Sequence, residues 1–299
     1  MAVPQVVLIT GTSTGFGKLF AETLAHHGHR VYATMRDPAV RNAANASALR
    51  TLAGKEGATI EVLEMDVADE VSVDRAVHAC VQQAGRIDAV INNAGYSLSG
   101  LAEATTVDQV RTLMDTNFLG CVRVNRAVLP FMRKQRSGLL LHVSSVGGRM
   151  VVPGFAFYCA SKFALEAMAE TYHYELAGQG IESCLLEPGA YQTAVFENRV
   201  TAADHARTST YGPVAAMPEK IAAVLSSSAA NAQDVADLVL RIVETPAGQR
   251  QLRYLITANP TGVDEINSVS AKVQAAIVEN FGLQDATRFN SQSASSAST

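Results

Sequence analysis

The chain has 299 residues, a length that α/β folds often fill as one domain. Hydrophobic residues make up 48% and the formal net charge is −4, which supplies a sizeable core but gives no electrostatic case for a nucleic-acid or anionic-membrane partner. Four scattered cysteines (Cys80, Cys121, Cys159, Cys184) have no zinc-type spacing and no apolar run approaches a membrane span, so a metal-free cytoplasmic protein is expected.

The first apolar run, Val6–Thr10, reads as a short buried strand running straight into glycines. The string Thr10-Gly11-Thr12-Ser13-Thr14-Gly15-Phe16-Gly17 follows and opens a helical pattern, Phe16–His27. Glycines there let backbone approach a pyrophosphate, and a helix N-terminus supplies oriented N–H groups with a partial positive charge. A second strand, Arg30–Met35, ends in Met35-Arg36-Asp37. Met35 stands where an NAD site carries its ribose-binding acid, and Arg36 offers paired donors to a 2′-phosphate. NADP(H) is therefore the expected cofactor, with Asp37 as the alternative ribose ligand. A third strand, Thr59–Met65, brings Asp66 and Val67 to its carboxyl end, where adenine contact and helix capping are the two readings.

After a helical pattern at Val71–Ala84, a fourth strand, Ala89–Asn92, closes on Asn92-Asn93-Ala94-Gly95, whose small residues let backbone approach a cofactor. A long helical pattern spans Val107–Arg133, and a fifth strand, Leu139–Val143, runs into Ser144-Ser145. Tyr158 stands thirteen residues after Ser145, and Lys162 lies four further along the helical pattern Tyr158–Ala177. Tyr158 and Lys162 therefore share a face. A free phenol titrates near about pH 10, and a neighbouring ammonium favours phenolate. The pair is expected to lower the Tyr158 pKa by roughly three units, about 4 kcal/mol of differential interaction.

Strands at Glu182–Leu186 and Arg253–Ile256 and a helix at Gln233–Val243 complete the pattern. Near-continuous apolar strands alternating with helices, joined by right-handed crossovers, predict an α/β fold: a doubly wound parallel seven-stranded sheet of the Rossmann type. Residues 1–257 are expected to form one dinucleotide-binding catalytic domain, with a substrate lid at about 194–231. Residues 258–289 follow as a C-terminal helical extension built around Thr261–Phe281, and 290–299 as a disordered tail.

Together these strings resemble the short-chain dehydrogenase/reductase family. TGxxxGxG at Thr10–Gly17, NNAG at Asn92–Gly95, Asn117, Ser145, YxxxK at Tyr158–Lys162 and PGxxxT at Pro188–Thr193 fall in family order. The strings VYATMRD (Val31–Asp37), YCASKFALE (Tyr158–Glu166) and LLEPG (Leu185–Gly189) look closer to the 17β-hydroxysteroid and retinol dehydrogenase branch. That branch acts on bulky lipophilic alcohols and ketones and often prefers NADP(H). The resemblance implies Tyr158 as general acid/base, Lys162 as the residue that lowers its pKa and binds the nicotinamide ribose, and Ser145 as hydrogen-bond partner of the reacting oxygen. It implies that Asn117 holds a water linking Lys162 to solvent. Cofactor contacts are implied at Gly11, Thr12, Ser13, Thr14, Gly15, Phe16, Gly17, Asn93, Ala94, Gly95, Pro188, Gly189 and Thr193. Phe16 departs from the isoleucine usual in the family.

The expected function is an NADP(H)-dependent oxidoreductase interconverting a ketone or aldehyde with an alcohol by hydride transfer. Its partner is a small-molecule carbonyl or alcohol substrate. The alternatives are a non-catalytic NADP(H)-binding redox sensor, which would be expected to lack the Tyr/Lys pair, and an acyl-carrier-protein ketoreductase, which would want a basic docking surface. Apolar residues on more than one face of the Val107–Arg133 and Tyr158–Ala177 patterns suit burial in a homo-oligomer.

Overall fold

The computed structural model describes residues 3–53, 59–193 and 198–290. Its strands are β1 (Val6–Ile9), β2 (Arg30–Met35), β3 (Thr59–Glu64), β4 (Ala89–Asn92), β5 (Leu98–Ser99), β6 (Gly138–Val143), β7 (Ile181–Pro188), β8 (Val200–Thr201) and β9 (Arg253–Ile256). Seven of them form one sheet in the order β3-β2-β1-β4-β6-β7-β9, every neighbouring pair parallel. The short β5 and β8 pair apart from it, an element the sequence pattern did not announce.

The sheet is buried on both faces, so its central strands carry no polar alternation. Successive residues of β1 still point to opposite sides. Val7 and Ile9 pack with Phe20 and Leu24 of α1 (Gly15–His26) and with Val235 and Val239 of α9 (Gln233–Glu244). Val6 and Leu8 pack on the other side with Val73 and Val77 of α3 (Glu70–Ala84) and with Val124 and Val128 of α5 (Gly120–Gln135). Chain order reverses between β1 and β4, which opens a crevice beyond their carboxyl ends.

The long helical pattern expected at Val107–Arg133 is broken. It consists of α4 (Val107–Met114), a π-helical turn at Asp115–Leu119 and then α5. The extra residue of such a turn rotates Asn117 into the interior. Helix α6 (Ala156–Ala177) carries Tyr158 in its first turn, and α2 (Ala43–Ala53) is an unanticipated helix. Within the segment expected as a lid lie β8, α7 (His205–Ser209) and α8 (Met217–Ser226); residues 194–197 fall outside the described residues. The expected tail does too, from residue 291 on. Helix α10 (Val263–Asn280) follows β9, and Val263 is its one buried residue. Among the described residues no helix is long and apolar enough to cross a membrane.

Candidate active site

The loops after β1 and β4 meet at the reversal point and are tied together. Thr10 Oγ1 accepts from the amides of Asn93 (3.0 Å) and Ala94 (2.9 Å), while Asn93 Nδ2 donates to the carbonyls of Thr10 (2.9 Å) and Gly11 (3.1 Å). This closeness dictates the glycine at 11: its φ is 72°, and a Cβ there would sit 2.8 Å from Ala94 Cα. Gly17 packs against Gly11 and Asn93 from behind, and the buried Thr12 hydroxyl donates to Thr34 O at 3.1 Å. Thr12 and Gly17 thus support the loop without lining the cleft, whereas Gly11, Ser13, Thr14, Gly15 and Phe16 form its wall.

The first amides of α1 face that wall. Thr14 caps the helix without a side-chain hydrogen bond, and the first turn holds no acid. Its N–H groups are therefore open to an anion from the cleft. Thr193, also on the wall, has a buried Oγ1 with no hydrogen-bond partner among the described residues and lies close to Gly15. A helix terminus lacking an acceptor beside an unpartnered buried hydroxyl fits a dinucleotide pyrophosphate.

The cleft is also lined by Arg36, Arg41 and Asn42 after β2 and by Asp66 and Val67 after β3. Asp37 is not part of this wall. Its backbone turns at φ 45°, and its carboxylate accepts from the Arg41 amide at 3.2 Å. The alternative ribose ligand is therefore used in closing its own turn. No carboxylate pairs with the Arg36 or Arg41 side chain among the described residues. Asp66 lines the cleft and accepts from the Ala68 amide at 3.0 Å, closing a local turn; the helix that follows is capped instead by Asp69, which accepts from Val71 N. Arg41 escaped the sequence reading; its only signal was proximity to Arg36 in one loop.

The reacting end is built by β6 and α6. Ser145 Oγ accepts from Gly147 N at 3.1 Å, which leaves its own hydrogen free, and the Ser145 hydroxyl acts to lower the Tyr158 phenol pKa. Lys162 is almost fully buried and donates from Nζ to Val143 O at 2.7 Å. Ser145, Tyr158, Lys162, Pro188 and Gly189 line the same cleft as the glycine loop, a space of about 800 Å³.

One electrostatic expectation is overturned. Loss of water pushes the Tyr158 phenol up to about 12, against a smaller downward pull from Ser145. Burial likewise lowers Lys162. Its ammonium is bonded to Val143 O and lies 5.9 Å from the Tyr158 ring centroid, too remote to offset that desolvation.

Asn117 has protein partners at both ends of its amide. Its Oδ1 accepts from Tyr96 N (3.0 Å), and its Nδ2 donates to Tyr96 O (3.0 Å) and Ser161 Oγ (3.2 Å). The amide clamps the loop after β4 to α6 and retains at most one acceptor lone pair for a water. The cleft is also walled by the apolar Val146, Val152, Phe155, Val200 and Leu225 and by Tyr191, together with the polar Ser97, Thr112, Thr116 and Asn198. The unusual Phe16 joins this wall, stacked 5.8 Å from Phe20 and edge-on 5.9 Å from Tyr191.

The model of the family described as short chain dehydrogenase matches residues 5–204. A 3-ketodihydrosphingosine reductase of Bacteroides thetaiotaomicron is 41% identical over 196 residues, covering 66% of this chain and 67% of that protein. A 17-beta-hydroxysteroid dehydrogenase type 1 of Mus musculus is 42% identical over 200 residues, 66% of this chain; the match spans only 57% of the mouse protein's length. The crystal structure of a short-chain dehydrogenase from Streptomyces avermitilis superposes with a TM-score of 0.75 at 28% identity, covering 96% of this chain and 100% of that one.

Proposed function

This chain belongs to the short chain dehydrogenase family, and from that premise we propose that it is an NADP(H)-dependent carbonyl reductase or alcohol dehydrogenase acting on a lipophilic substrate. The observation that carries this reading is one continuous cleft lined both by Arg36 and Arg41 and by Ser145, Tyr158 and Lys162. The open α1 terminus and Thr193 would hold the pyrophosphate, and the two arginines a 2′-phosphate. The apolar side chains Val146, Val152, Phe155, Val200 and Leu225 on the cleft wall support a lipophilic substrate. So does the likeness to relatives named for a ketosphingoid base and a hydroxysteroid.

When bound, the reduced nicotinamide supplies the hydride. Tyr158, held protonated across the neutral range, gives its proton to the substrate oxygen as negative charge develops there. Ser145, whose hydroxyl hydrogen is not used by Gly147, donates a hydrogen bond to the same oxygen. Lys162 would hold the ribose hydroxyls and return a proton to Tyr158. A phenol that stays protonated at neutral pH has its proton available for the reductive step. Asn117 acts by fixing the loop after β4 against α6.

The test is NADPH consumption over steroid, retinoid, aromatic and aliphatic ketones, with Arg36→Ala alongside. Turnover of bulky apolar ketones is expected, and the variant should raise the apparent NADPH constant far more than the NADH one. Activity confined to small polar carbonyls, or equal effects on both cofactors, would remove the respective assignment. Exposed Leu119 and Phe163 beside α5 and α6 support a homo-oligomer, to be checked by light scattering. Four free, buried cysteines suit a reducing cytoplasm.

A further inference from the structure

Helix α6 carries a second buried charge one turn beyond Lys162. Glu166 is 2% exposed, and Glu187, on β7, is 0% exposed. Both address the same atom: Arg253 Nε, on β9, lies 3.3 Å from Glu166 Oε2 and 3.2 Å from Glu187 Oε1. The Arg253 Nη2 bonds Glu170 Oε2 at 2.7 Å. Three carboxylates thus surround one guanidinium.

A second cation, Arg149, stands nearby but directs its donors to Asn267 Oδ1 (2.8 Å) and Ser270 Oγ (2.6 Å) of α10. Asn267 in turn donates from Nδ2 to Glu187 Oε2. Glu166 Oε1 and Glu187 Oε1 are both buried without a hydrogen bond of ordinary geometry, yet the two carboxyls are within reach of one another. Two desolvated carboxylates sharing one nitrogen cannot both ionise at low cost. A single proton between them would give a hydrogen bond to two oxygens that have none among the described residues, Glu187 Oε1 having only its ion pair with Arg253.

This pair is connected to the cleft on two sides. Lys162 lies one turn back along α6, and Glu166 is among the charges that hold its ammonium. The Ser144 hydroxyl, on the cleft wall, lies against Glu166 across Gly148: a Cβ there would meet Ser144 Oγ at 2.6 Å and Glu166 Oε1 at 3.2 Å.

We propose that Glu166 is a positioning residue of the active site, sharing one proton with Glu187 beneath the Ser144–Gly148 turn and setting the charge that Lys162 experiences, with Asn267 of the C-terminal helix holding the pair in place. The proposal rests on the role assigned above to Lys162. The groups facing the pair are Arg253 from β9, Arg149 after β6, Glu170 and Lys162 on α6, and the hydroxyl of Ser144; His173 lies beyond, against Arg253 and Glu170. Burial pushes Glu166 up to about 7, with the Glu187 charge acting the same way. The proton therefore leaves as pH rises through neutrality. Lys162 gains an anionic neighbour over the same range.

Infrared spectra of the whole protein, titrated across neutral pH, test this without recourse to activity. One protonated-carboxyl carbonyl band is expected, bleaching with a midpoint near 7 and missing from Glu166→Gln. Asn267→Ala, which removes the donor to the Glu187 anion and the acceptor of Arg149 Nε while leaving Arg149 bonded to Ser270, should move the midpoint upward even if Glu166→Gln folds poorly. In kinetics, kcat should show an inflection near that midpoint, shifted in Asn267→Ala and absent from Glu166→Gln, with the NADPH KM little changed. Absence of the band, or a midpoint that ignores Asn267→Ala, overturns the shared proton. A band whose titration leaves kcat flat overturns the positioning role. Retained turnover in Tyr158→Phe would instead sink the catalytic reading while leaving the infrared result intact.

Discussion

At Tyr158 two effects compete for the proton, and burial wins. The sequence places an ammonium four residues along the same helix face, which by itself argues for a depressed phenol pKa. In the folded chain the hydroxyl loses water, and Lys162 is engaged at Val143 O, so the phenol stays protonated. Tyr158→Phe should retain NADPH binding, measured by fluorescence titration, and lose about 10²–10⁴-fold in kcat, the range typical of a removed general acid. Gly11 is constrained by a different contact. Alanine there meets both a positive φ and the Ala94 backbone, so Gly11→Ala should destabilise by about 2–4 kcal/mol in urea unfolding. A wild-type midpoint would show that the two loops can separate without cost.

Among the elements, the π-helical turn decides what Asn117 does. A regular helix from Val107 through Gln135 would continue the rotation of α4 unchanged; the wider turn brings Asn117 onto Tyr96 and Ser161. Asn117→Ala strands the backbone N–H and C=O of Tyr96 beside the cleft. It is expected to cost about 2 kcal/mol of stability and to lower kcat by displacing the loop after β4. Thermal unfolding and steady-state kinetics together check this, because an effect on turnover with unchanged stability would favour a direct role for the amide. The β1–α1 and β4 loops illustrate the same point. Asn93 reads in sequence as a cofactor contact, and it does line the cleft, but its amide nitrogen is used to bind one loop to the other.

For the molecule as a whole, two buried groups give stability opposite pH slopes. His142 is pushed down to about 3 by burial and, less, by Lys162, below its ordinary value of 6.5. The unfolded chain therefore binds more protons between those values, and this contribution is complete above pH 6.5 and lost as pH falls toward 3. Glu166 is raised to about 7 from an ordinary 4.5, so there the folded chain binds more protons. Its contribution is complete below pH 4.5 and lost as pH rises through 7. Thermal midpoints measured from acid to mildly alkaline buffer should pass through a maximum. Glu166→Gln should flatten the alkaline side and His142→Gln the acid side. An unchanged alkaline slope in Glu166→Gln would contradict the raised carboxyl.

The seven strands, their parallel arrangement and the grouping of Ser145, Tyr158 and Lys162 were legible in sequence because they follow from short-range periodicity: apolar runs, glycines between strand and helix, and a four-residue spacing on one helix face. The neighbours of those residues were not. That Asp37 closes its own turn, that Asn117 clamps a loop, that Arg41 joins Arg36, and that Glu166, Glu187 and Arg253 converge from α6, β7 and β9 all depend on residues distant along the chain. Burial and Coulomb interactions act through space, so the protonation of Tyr158 and Glu166 was settled only when the sheet brought those segments together.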